Sequence, residues 1–207
     1  DGIQCDNYPK FEIINSTISE NGGKGLYVND GVVNGQTVKN SIFWGNGSNN
    51  IYGTPQIVSN NNLVGGISSW NGNSVINTDP YFVNAAINDY RLLSYSPAIG
   101  AGTTSGAPST DIEGKTRPTP SGTNPDIGAY ENDLGARTVE VLSVTSDVNN
   151  GTYIIGDIIP ILVNFTESVT VTGTPQLTFE TGSSDFVSDY SSGSGSSSLT
   201  FNYTIAS

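Results

Sequence analysis

Ile13-Ile14-Asn15-Ser16-Thr17-Ile18 returns 25 residues later as Val38-Lys39-Asn40-Ser41-Ile42-Phe43. It returns again, 20 residues after that, as Val58-Ser59-Asn60-Asn61-Asn62-Leu63. A second echo follows the first two: Asn21-Gly22 and Asn46-Gly47 each lead to an apolar pair, Leu26-Tyr27 and Ile51-Tyr52. Repetition at such a period is the mark of stacked coils, each adding short strands whose inward side chains rest on the coil below. Asparagine and glycine turn the corners, because Asn tolerates the left-handed backbone and its amide can ladder between coils. The expected stack is Ile14, Ile18, Val38, Ile42, Val58 and Leu63 or their immediate neighbours.

The middle of the chain is punctuated differently. Thr78-Asp79-Pro80-Tyr81-Phe82-Val83, Asp89-Tyr90-Arg91-Leu92, Ser96-Pro97-Ala98-Ile99-Gly100-Ala101-Gly102 and Asp126-Ile127-Gly128-Ala129-Tyr130-Glu131 read as one module. An open stack exposes apolar surface and unpaired edges, so it needs a cap, and the segment from about Val75 to Glu131 suits that task. With the repeats, these phrases resemble the C-terminal end of secreted bacterial right-handed parallel β-helix proteins of the choice-of-anchor Q group. The resemblance covers roughly residues 13–131. It implies a segment that completes a β-helix on a surface protein.

From Arg137 the apolar pattern takes period two: Val139, Val141 and Val144, then Ile159, Ile161, Val163 and Phe165, then Leu177 and Phe179, and finally Leu199, Phe201 and Tyr203. Strand alternation with Gly, Ser and Thr turns predicts a β-sandwich. Gly151-Thr152-Tyr153, Phe165-Thr166-Glu167-Ser168-Val169 and Gly173-Thr174-Pro175-Gln176-Leu177 resemble the Ig-like, SwmB-type repeats of long bacterial surface proteins. The fold class expected is therefore all-β, with β-helix coils and a capping module over residues 1–134 and a partial Ig-like sandwich over 135–207. The chain reads as a piece of a longer one.

Composition narrows the functions. The net charge is −12, with 12 acids against 6 bases through Asp133 and 7 acids against Arg137 alone afterwards. Such a surface repels phosphate backbones and anionic membranes, and is compatible with divalent cations and neutral glycans. No run near 18 apolar residues is present. The lone cysteine, Cys5, forms no disulfide within the chain and reads as a small buried apolar residue. The sequence contains no histidine, which removes Ser-His-Asp triads and His-based metal sites. Gly22-Gly23-Lys24-Gly25 lacks the spacing of a phosphate-binding loop.

Two candidate sites remain. Asp79, Asp89, Asp111, Glu113 and Asp126 lie in turn-like settings that would suit Ca²⁺, a hard cation wanting several oxygen ligands. The alternative is that Asp79 and Asp89 cap turns and that Asp126 or Asp111 pairs with Arg91 or Arg117. Trp44, Trp70 and Tyr52 are candidates for stacking on sugar rings, against the alternative that they fill the core or seal the cap. The expected role is a non-catalytic structural or adhesive segment of a secreted or cell-surface bacterial protein, in contact with surface glycans, neighbouring domains or further copies of itself. The rival reading is the non-catalytic end of a β-helix polysaccharide lyase or glycoside hydrolase whose active site lies upstream, or a glycan-binding module.

Overall fold

A computed structural model describes residues 1–6, 10–28, 35–53, 58–66, 72–182 and 184–206. The protein is all-β and divides into two compact units, Asp1–Thr138 and Val139–Ser207.

The first unit is built from short parallel rungs. Strands β1 (Ile3–Cys5), β4 (Leu26–Val28) and β7 (Ile51–Tyr52) form one sheet. A second sheet holds β2 (Glu12–Ile14), β3 (Thr17–Ser19), β5 (Thr37–Lys39), β6 (Ile42–Trp44), β8 (Val58–Val64) and β9 (Gly72–Ile76). Ile13 pairs with Val38 and Leu26 with Ile51, both at the 25-residue offset of the sequence echo. Val38 pairs with Ser59 rather than Val58, so the next offset is 21 residues, one more than the aligned phrases indicate.

One residue makes the corner between the two strands of each rung. Asn15, Asn40, Asn61 and Ser74 occupy equivalent places, with φ of 45°, 49°, 50° and 60°. That single left-handed residue resets the strand alternation. In a straight strand, positions 13 and 18 would face opposite sides. Here Ile13 and Ile18 both face inward and join Leu26, Val28, Val38, Phe43 and Val64 in the first core. Of the expected stack, Ile18 and Val38 hold their places and the immediate neighbours Ile13, Phe43 and Val64 stand in for Ile14, Ile42 and Leu63; Ile42 and Leu63 point the other way.

Their destination is a second core. Ile42 and Leu63 pack with Leu92, Ala98, Ile99 and Ile127 of the module that follows the coils. The expectation of a cap closing one end of the stack is therefore corrected, because the module lies along its side. It grips three successive corners: Asn15 Nδ2 donates to the Asp126 carbonyl at 3.0 Å, Asn40 Nδ2 to that of Thr103 at 2.8 Å, and Asn61 Nδ2 to that of Ala101 at 2.9 Å. Asn40 also donates to Asn15 Oδ1 at 3.1 Å, which links two corners directly. A further amide chain runs from Asn21 to Asn46 to Asn50, with contacts of 2.9 and 2.8 Å.

Within the module, β10 (Phe82–Asn84) and β11 (Asp89–Leu92) form an antiparallel pair joined by a 3-10 turn. Ser96 Oγ donates to the Pro80 carbonyl at 2.6 Å and ties two proline-bearing phrases together. Leu134 packs on the second core and the Thr138 amide donates to the Ser94 carbonyl, so this unit runs four residues past the boundary expected at 134.

The second unit is a five-stranded antiparallel sheet. Its strands are β12 (Val141–Ser146), β13 (Ile158–Val169), β14 (Gln176–Phe179), β15 (Phe186–Ser192) and β16 (Ser196–Thr204), in the order β12-β13-β16-β15-β14. Val163, Leu199 and Phe201 are buried, flanked by Phe165, Leu177, Phe179 and Tyr190. Val141, Leu142 and Val144 on the edge strand β12 are more than half exposed.

Candidate functional site

The buried acids of the module, Asp111, Asp126 and Glu131, are engaged by its own backbone. Asp126 is fully buried, and its Oδ1 accepts from the Gly100 amide at 2.8 Å and its Oδ2 from Asn132 at 2.6 Å. Asp111 accepts from the amides of Glu113, Lys115 and Glu131 at 2.8–3.0 Å. Glu131 accepts from Thr119 and Asp126 and forms an ion pair with Arg117 at 3.1 Å. The Arg117 guanidinium in turn donates to the carbonyls of Gly128 and Ala129, both at 3.2 Å. Each charged group is thus a staple for a turn that would otherwise bury unpaired amides or carbonyls.

Burial pushes Asp126 up to about 7, against the pull of its two amide donors and Arg117. Burial also works on Asp111, yet its three amide donors and Arg117 hold it below the usual carboxylate range. Arg117 is lowered by the same desolvation. Asp79 accepts from the Tyr81 amide at 2.7 Å and acts as a turn cap. Asp89 holds Arg91 through Nε at 2.8 Å and Nη2 at 2.5 Å. Of the five acids read as a calcium set, Asp111 and Glu113 share a turn and the other three lie at separate places along the chain, and among the described residues no three acidic or cysteine side chains gather as a metal site. Glu113 opens onto a basin of about 420 Å³ with Arg91, Lys115, Tyr130, Asn132 and Asp133, and Asp111 onto another of about 430 Å³. In the first basin Lys115 is engaged by Asp133 at 2.8 Å.

The aromatic candidates separate by exposure. Trp44 is half-buried on the second core, and Gly65 makes room for it: a Cβ there would lie 2.6 Å from the indole Cε3. Trp70 lies outside the described residues. Tyr52 is 53% exposed and stands on the outer face of the three-stranded sheet. Tyr27 is its neighbour on the adjacent rung, with ring centroids 5.5 Å apart. The Lys24 ammonium sits 4.5 Å from one ring and 5.2 Å from the other.

Sequence reasoning named Tyr52 without Tyr27 or Lys24. The signal was present, since the echo of Leu26-Tyr27 in Ile51-Tyr52 places the two rings on one face once the strands are parallel. Cys5 faces the first core beside Ile3, and burial together with Asp6 raises its thiol. No family model, curated protein or solved structure matches this chain.

Proposed function

We propose that this chain is a non-catalytic structural and adhesive segment of a secreted or cell-surface bacterial protein. Its first unit is read as the last coils of a right-handed parallel β-helix with a module bound along its side, and its second as part of an Ig-like sandwich that serves as a spacer. Parallel rungs offset by 25 residues support the first reading. The antiparallel sheet with its apolar row supports the second. The resemblance of residues 13–131 to choice-of-anchor Q proteins supports the surface location.

The observation that carries the proposal is the lateral tie. One module reaches the corners of three successive rungs through Asn15, Asn40 and Asn61, and its buried charges all serve its own backbone. Such a device stiffens a stack, and its buried carboxylates are held by backbone amides. The test is incubation of the full chain with a panel of neutral and acidic polysaccharides, followed by assay for new reducing ends and unsaturated products. No product is expected. Release that scales with protein concentration and survives repurification overturns the proposal.

A further inference from the structure

The three-stranded sheet of the first unit turns one side to the core and one side outward. Ile3, Cys5, Leu26, Val28 and Ile51 take the inner side. Alternation then commits Gln4, Tyr27 and Tyr52, which are in register on consecutive rungs, to the outer one. The two tyrosine rings are inclined at 40° with centroids 5.5 Å apart, close to the spacing of neighbouring strands. Gln4 extends the row, and its Nε2 donates to Asp6 Oδ2 at 2.8 Å. The row therefore offers two aromatic faces, an amide, a carboxylate and the Lys24 ammonium within one strip.

That mixture suits a sugar. An aromatic face is apolar and carries the negative side of the ring quadrupole, which the ammonium of Lys24 already reads. The C–H face of a pyranose is apolar and weakly positive and can lie against the same surface. Its hydroxyl rim both donates and accepts, so it can give to the carboxylate, take from the ammonium and do both with the amide beside it. The geometry points to the Gln4–Tyr27–Tyr52 row as a binding surface for a neutral polysaccharide, its chain running across the rungs. This rests on the adhesive reading and gives it a place and a ligand class. Charge decides the class: Asp1 and Asp6 flank the row, and 12 acids face 6 bases over residues 1–133, so a polyanion is repelled.

The test is electrophoresis of the full chain through native gels cast with a β-glucan, a galactomannan or polygalacturonate. A neutral polysaccharide should retard the wild type. Tyr52→Ala and Tyr27→Ala should each weaken that binding roughly tenfold or more, while Tyr52→Phe, which keeps the ring, should retain most of it. Unchanged circular dichroism shows that the variants fold, because both side chains lie outside the core. Retardation that survives both alanine variants overturns this site and leaves the adhesive reading standing. Retardation by polygalacturonate alone overturns the ligand class. No retardation in any gel overturns the site, whereas the non-catalytic reading falls only if sugars are released.

Discussion

The Nε of Arg117 lies 3.1 Å from Oε2 of Glu131, with the two side chains 1% and 0% exposed. A buried pair of this kind gains little over an apolar replacement, but removing one partner strands the other charge. Arg117→Met should cost the first unit about 3–5 kcal/mol, and the double variant with Glu131→Gln should regain part of it. Both tryptophans fall within residues 1–138, so their fluorescence during urea unfolding follows this unit. A loss under about 1 kcal/mol would show that the pair is dispensable.

Stability should also depend on pH in two opposed limbs. The folded value of Asp126, about 7, exceeds that of an unfolded aspartate. Its contribution is therefore whole below the unfolded value and lost as pH rises through about 7. Asp111 is held low, so its contribution is whole above the unfolded value and lost as pH falls through its folded one. The melting temperature should peak in mild acid and decline towards neutrality. Asp126→Asn should flatten the neutral limb and leave the acid limb in place; an unaltered profile would contradict the assignment.

Asn40 serves both backbone and side chain. It is fully buried at φ 49°, donates to Asn15 and Thr103, and accepts from the Thr103 amide at 2.9 Å. Asn40→Gly loses the bonds alone, at about 1–3 kcal/mol. Asn40→Ala adds the left-handed penalty, roughly 1–2 kcal/mol more. Equal denaturation midpoints for the two variants would rule out the backbone share.

At Gly128 the module comes close to the coils. Its φ is 109°, and a Cβ would lie 2.8 Å from Ile42 Cδ1 and 3.0 Å from Thr17 Oγ1. Gly128→Ala should destabilise by roughly 1–3 kcal/mol, and adding Ile42→Val, which removes that Cδ1, should return part of the loss. Without such relief, the strain lies in the backbone alone.

Much of this architecture can be read from residue types. Asn15 and Asn40 announce corners because few other residues accept positive φ, and Tyr27 and Tyr52 share a face once their echo is taken as a register. The direction of Ile42 is hidden, since it depends on a one-residue change of phase that no alternation rule contains. The pairing of Arg117 with Glu131, in place of Asp111 or Asp126, is hidden for another reason. It follows from the long-range path of the module, whereas the local sequence shows only several acids and two arginines at hand.

The four corner residues, Asn15, Asn40, Asn61 and Ser74, are separated by 25, 21 and 13 positions, yet each holds the same place in its rung. Coil length is therefore free to vary as long as one residue per coil can turn left. The stretches between corners can differ in length from coil to coil while the corners stay aligned. The seam of corner residues, and not the length of the coil, keeps the rungs in step.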